Sequence, residues 1–150
     1  MAVRDYTTRR LSIVNALVEK IKQINGSGGF LTTLNDNVSP RLKFWDEVEE
    51  FPAVHLNAGS ETREYQGAGY KDRFLSITLR CYVQEEDSVA ALDGLLEDIE
   101  TVVEENSRLQ YTDRKGITQY TQQITVVSID TDEGVLEPLG VGEMLIEVRY

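Results

Sequence analysis

Few side chains in this sequence have the type and spacing that catalysis or metal binding needs. His55 is the sole histidine and Cys81 the sole cysteine, so a multi-histidine or cysteine-built metal site is excluded, and a nucleophilic triad would have to use His55 alone. His55 stands between Val54 and Leu56, the setting of a structural or surface strand histidine rather than of a general base. Cys81 falls in an alternating apolar row and reads as a small core residue rather than a reactive thiol. Asp130-Thr131-Asp132-Glu133-Gly134 approaches a calcium loop, but its glycine comes one place early and the twelfth position is Val141, where a bidentate glutamate is needed. Glu97, Asp98, Glu100, Glu104 and Glu105 could pair as acid and base, yet such a row opposite an apolar helix face reads as the solvated side. Tyr65, Tyr70, Tyr82, Tyr111 and Tyr120 would suit base stacking in a basic groove, and here the overall charge has the wrong sign. No Gly-x-Ser-x-Gly elbow, Walker loop or dinucleotide fingerprint occurs, and Gly26-Ser27-Gly28-Gly29 follows a helical pattern instead of preceding one. The residues therefore predict no enzyme, no cofactor and no metal.

The elements that carry these residues follow from periodicity. Leu11, Val14, Leu17, Val18, Ile21 and Ile24 recur at helical spacing, predicting an amphipathic helix over residues 7–24 capped by Thr7 or Thr8 and stopped at Asn25-Gly26. Residues 30–34 read as a short strand, and residues 51–56 as a strand with Pro52 near its start. Residues 60–72, with Gly67 and Gly69, read as an exposed loop or mobile hairpin carrying Glu61, Arg63, Tyr65, Tyr70 and Lys71. Leu75, Ile77, Leu79, Cys81 and Val83 alternate with polar neighbours, the clearest strand pattern in the chain. Asp87 or Ser88 caps a second helix whose face is Val89, Leu92, Leu95, Leu96, Ile99, Val102 and Val103, ending at Asn106. Residues 117–129 read as one long strand, 130–134 as a turn and 143–150 as a terminal strand. Both faces of that last strand are partly apolar, which predicts helices on one side and a partner on the other. The order predicts an α+β fold, two amphipathic helices packed on one face of a largely antiparallel or mixed sheet.

At 150 residues the chain is the size of one domain, spanning 1–150. A net charge of −11 disfavours sequence-independent nucleic-acid binding and adhesion to anionic membranes. The first residues lack the apolar run of a signal peptide, no stretch approaches about 18 apolar residues, and the lone cysteine fits a reducing compartment, which together predict a soluble, cytoplasmic protein. The charge is unevenly distributed. Arg4, Arg9, Arg10, Lys20 and Lys22 against Asp5 and Glu19 give residues 1–22 a balance of +3, while residues 85–105 carry nine carboxylates and no cation, a balance of −9.

A resemblance extends this reading. Phe51-Pro52-Ala53-Val54, the strand from Arg73 to Val83, the acidic helix Ala91-Leu92-Asp93-Gly94-Leu95-Leu96-Glu97-Asp98-Ile99-Glu100, and the ending from Ile129-Asp130-Thr131-Asp132-Glu133-Gly134 to Met144-Leu145-Ile146-Glu147-Val148-Arg149-Tyr150 resemble the tail terminator (tail completion) proteins of long-tailed bacteriophages over nearly the whole chain. The resemblance implies a structural virion protein, assembled in the host cytoplasm as a hexameric ring on the head-proximal end of the tail tube. That ring would stop tube polymerisation, offer the surface for head-tail joining and, in a contractile tail, meet the sheath protein. Its partners would be copies of itself, the tail tube protein and the head-tail connector, with DNA passing through the lumen. On that reading Arg4, Arg9 and Arg10 against Glu97, Asp98, Glu100, Glu104 and Glu105 are the expected subunit-interface charges. Glu61, Arg63, Tyr65, Tyr70 and Lys71 are the expected tube- or neck-contacting loop. Six copies at −11 sum to −66, so salt or divalent ions should favour assembly. A neck or head-closure protein of the same virion module, and a small-ligand or enzymatic α+β domain built around His55, are the alternatives.

Overall fold

The computed structural model describes residues 6–150. Helix α1 spans Arg9–Ile21 and buries Ile13, Val14, Leu17, Val18 and Ile21. Its N-cap is Thr8, whose hydroxyl oxygen accepts from the Leu11 N–H at 3.1 Å. The helix stops three residues before the expected end, but Ile24 stays fully buried in the turn that follows. Helix α2, Ser88–Glu105, is capped by Asp87, which accepts from the Ala90 N–H, and ends at Asn106. It buries the expected face except Val89, which lies at the exposed first turn.

Among the described residues there are seven strands: β1 (Val38–Ser39), β2 (Ala53–Tyr65), β3 (Lys71–Gln84), β4 (Gln110–Thr112), β5 (Thr118–Tyr120), β6 (Gln123–Thr131) and β7 (Leu139–Arg149). Five form one sheet in the order β1-β2-β3-β7-β6, parallel only between β1 and β2, while β4 and β5 form a separate small hairpin. Helix α1 packs on the β2 side and on β4, and α2 packs across β3, β7 and β6. This is the α+β architecture expected from the sequence, two helices against a mixed sheet. Leu75, Ile77, Leu79, Cys81 and Val83 meet Met144, Ile146 and Val148 and the helix faces in one core. Burial pushes the Cys81 thiol up to about 12, so it is a neutral core residue. Gly140 and Gly142 let α2 lie close on β7: a methyl at Gly140 would come within 3.2 Å of the Ser88 carbonyl oxygen, and one at Gly142 within 3.0 Å of Leu92 Cδ1.

Two expectations are corrected and a third is narrowed. Residues 30–34 form no strand, because the Leu31 and Thr32 N–H groups are taken by the Asp98 carboxylate and only a single bridge, Asn25 to Thr33, remains. The long strand expected over 117–129 breaks at Thr121. This buried residue accepts from the Leu109 N–H and donates to the Ser107 carbonyl, so β5 pairs with β4 and only β6 joins the main sheet. Of the exposed loop or mobile hairpin expected over residues 60–72 the structure has the hairpin, because β2 and β3 remain paired to Tyr65 and Lys71, closed by a tight turn at Gly67–Gly69. Among the described residues, no helix is long and apolar enough to cross a membrane.

Candidate assembly surfaces

His55 does not organise a pocket. It is buried on the sheet face away from the helices, edge-on to the Tyr82 ring at 5.5 Å, and it lines neither of the two larger surface clefts. Burial, with the nearby charges of Lys43 and Arg80, holds its imidazole below the usual histidine range and therefore neutral. Tyr82 donates to the Lys43 carbonyl at 2.7 Å, fastening the preceding segment over this face.

The charged side chains gather into two surfaces of opposite sign. The first is a cleft of about 650 Å³ where α1 begins, β3 starts and β7 ends, closed on one side by the turn between β4 and β5. Arg9 and Arg10 lie in the first turn of α1. The strands contribute Arg63 and Arg73, and the turn contributes Arg114 and Lys115. The Arg10 guanidinium donates to the Gly59 carbonyl, where β2 slips register against β3 between Ala58 and Glu61.

Two carboxylates share this cleft and both are engaged. Glu61 accepts from the Tyr150 hydroxyl and, at 2.9 Å, from Arg63. Its burial alone would raise its pKa, but these bonds and the charges of Arg63 and Arg10 outweigh that and leave it below the ordinary carboxylate value. Burial and the bond to Glu61 push the Tyr150 phenol upward in turn. Asp113 accepts from the N–H groups of Ile117 at 3.0 Å and Lys115 at 2.9 Å and from the Gln119 amide, which lowers its pKa. Arg73 lies over the Tyr150 ring at 5.6 Å, and its buried Nε has no hydrogen-bond partner. The sequence signal for this half of the cleft is Asp113-Arg114-Lys115-Gly116, two adjacent cations on a turn ended by a glycine at φ 80°. It escapes notice because Arg73 and the turn are far apart in the chain.

The second surface is the outer side of α2, where Asp93, Glu97, Glu104 and Glu105 are exposed and Glu100 is half-buried. Asp98 does not belong to it. That side chain is 3% exposed and faces inward, accepting from Leu31 N–H at 2.9 Å, Thr32 N–H at 2.8 Å and the Thr32 hydroxyl at 2.6 Å. Its spacing from Glu97 and Glu100 gives no hint of this, since the donors come from a segment more than sixty residues earlier. Arg4 lies outside the described residues. A second cleft, about 700 Å³, runs between residues 31–33 and the start of α2 and is lined by no cation.

The third surface is the tip of the β2–β3 hairpin. Pairing of β7 with β3 begins at Phe74, so from Glu64 to Asp72 only two strands remain. Tyr65 and Tyr70 are 73% and 74% exposed there, with the Lys71 ammonium 5.8 Å from the Tyr65 ring. The expected loop residues are thus split, Glu61 and Arg63 lining the cleft and Tyr65, Tyr70 and Lys71 forming the projecting tip.

The family described as Bacteriophage Tail Tube Terminator Protein matches residues 7–150. The chain belongs to this family. The tail tube terminator protein p142 of Escherichia phage T5 is 36% identical over 150 residues, covering 94% of this chain and 92% of that protein. A chain from the virion of a native gene transfer agent particle superposes with a TM-score of 0.57, covering 92% of this chain and 93% of its own length, at 5% identity. At that identity the likeness is one of fold alone. The chain is accordingly a tail tube terminator protein, a structural component of the phage virion tail and not an enzyme. The alternative of an enzymatic domain around His55 falls with that assignment.

Proposed function

We propose that this tail tube terminator assembles head to tail into a hexameric ring that caps the head-proximal end of the tail tube, stops its polymerisation and presents the surface to which the head-tail connector joins. The observation that carries the reading is that a member of this family bears two different charged surfaces. Arg9 and Arg10 stand at the start of α1 and Glu97, Glu100, Glu104 and Glu105 along α2, on helices that lie over different halves of the sheet. A contact between unlike surfaces repeats from copy to copy and closes into a ring when the rotation permits. The projecting hairpin tip, with Tyr65, Tyr70 and Lys71, reaches to the tube or neck. Phe74 and Leu145 on the sheet face away from the helices, half-buried in the single chain, are available to a further partner. Each copy carries a net charge of −11, the sign of DNA itself, so the ring should let the genome pass without adhering.

Electron microscopy of the purified protein mixed with tail tube subunits tests the reading, with rings at one end of each tube expected. Size exclusion coupled to light scattering should give a mass near six chains. A monomer at every concentration, with and without tubes, would falsify the ring.

A further inference from the structure

We infer that the cation-lined cleft is the receiving half of the contact between two copies of this chain, and that it accepts the acidic outer stripe of the neighbour's α2, with Arg73 at its floor. The inference rests on the head-to-tail reading above and gives it a site.

Unpaired charge inside the cleft is the first observation. Its two carboxylates are consumed locally, Glu61 by Tyr150 and Arg63, and Asp113 by the backbone of its own turn. Arg9, Arg73, Arg114 and Lys115 form no ion pair among the described residues. The buried Nε of Arg73 is left without an acceptor, which an incoming carboxylate would supply. Arg9 and Arg10 also stand at the positive end of the α1 dipole, and no acidic residue occupies that first turn. Cations are unfavourable there, and an external anion relieves both the dipole and the crowding of like charges.

The occupant follows from charge and spacing. Asp93, Glu97, Glu100 and Glu104 recur at intervals of four, three and four, so they form a stripe along one side of α2 about 16 Å long at 1.5 Å per residue. None of them forms an ion pair among the described residues, and no cation lies anywhere in residues 85–105. One chain thus carries a concave surface with surplus cations and a convex one with surplus carboxylates. The stripe points away from its own sheet, so the two meet only between molecules.

A charge-swap experiment tests this. Arg9→Glu with Arg114→Glu takes the cleft, six cations against two carboxylates, from +4 to 0, and Glu97→Lys with Glu100→Lys takes the stripe of four carboxylates from −4 to 0; Arg9, Arg114 and Glu97 are exposed, and Glu100 is half-buried on the solvent side. Circular dichroism and thermal melting check each fold, and Lys115→Glu serves as a second cleft variant. In sedimentation velocity, each double variant alone should associate at least about tenfold more weakly than the unaltered chain. An equimolar mixture should recover assembly, because the substituted positions of one variant's cleft meet oppositely charged substituted positions on the other's stripe, and the unaltered cleft meets the unaltered stripe. If both variants assemble like the unaltered chain, or the mixture stays monomeric, the cleft is not the contact and the ring reading stands without it. If the unaltered chain never assembles, the ring reading and the cleft assignment fall together. Fluorescence anisotropy with a short DNA duplex adds one further outcome: binding that the cleft variant loses, with self-association untouched, would reassign the cleft to phosphate and overturn the proposal.

Discussion

At the scale of single residues, Asp98 is the carboxylate whose loss the fold would feel most. It holds residues 31–32 to α2 through two backbone N–H groups and one hydroxyl, with its own carboxylate buried and the bonds partly shielded from water. Buried donors left unpaired cost about 1–3 kcal/mol each, so Asp98→Ala should lower unfolding free energy by about 3 kcal/mol in urea denaturation. Asp98→Asn, which keeps an acceptor, should lose less. The exposed Glu97→Ala should change stability by less than about 0.5 kcal/mol. His55 gives a second test. Its folded pKa lies below the usual 6.5, so the unfolded chain binds the proton first and stability is lost as pH falls through 6.5. Between pH 7 and 5 this adds a slope of at most about 1.4 kcal/mol per pH unit, one proton's worth, and His55→Gln should flatten that part of the curve. Glu61, also depressed, loses its contribution only below its unfolded value of 4.5, which separates the two windows. Sequence periodicity placed Cys81 in the core because strand alternation fixes its face, and it put His55 on a strand without deciding its burial, which depends on the segment that Tyr82 fastens at Lys43. It misplaced Asp98, because a helical position at the edge of the apolar stripe is polar or buried according to what a distant segment offers it.

At the scale of elements, the helices and the long central strands were legible because their apolar spacing matches their geometry. What the sequence did not reveal is set by side-chain hydrogen bonds between segments, as at Thr121, where one buried hydroxyl divides an unbroken β pattern into two strands of different sheets. The hairpin is the element where this matters for function. Removing residues 60–71 as though they were a loop would also remove Glu61 from its bonds to Tyr150 and Arg63. Replacing only residues 65–71 with an Asn-Gly turn cuts the arm where it is two-stranded. That variant should unfold within about 1 kcal/mol of the unaltered chain yet cap tubes poorly, giving tubes of uncontrolled length in electron micrographs. Normal tube lengths would remove the tip from the capping contact. The α2–β7 contact is tested through Gly140. A methyl there meets Val83 Cγ2 at 2.7 Å and the Ser88 carbonyl oxygen at 3.2 Å, so Gly140→Ala should cost about 1–3 kcal/mol by forcing helix and sheet apart.

At the scale of the whole molecule, composition alone makes each subunit a repelling body of charge −11, and on that ground added salt should only help assembly. The structure divides the charge, and the division changes the sign of part of the effect. Unlike charges meet at the proposed contact, whereas like charges act between the remaining surfaces at longer range. The screening length is about 30 Å at 0.01 M salt, about 8 Å at 0.15 M and about 3 Å at 1 M. Raising salt from the lowest value therefore quenches the long-range repulsion first, while contact pairs a few ångströms apart still attract. Further salt then weakens those pairs as well. Self-association should accordingly pass through a maximum near 0.1–0.2 M salt and fall toward 1 M. Glu47→Gln with Glu49→Gln, two exposed carboxylates outside both proposed surfaces, should move that maximum to lower salt by reducing only the repulsion. Sedimentation velocity across a sodium chloride series reads both effects. Association that climbs steadily to 1 M would mean that the ring is held by apolar surface alone, and the cleft would then have no part in it.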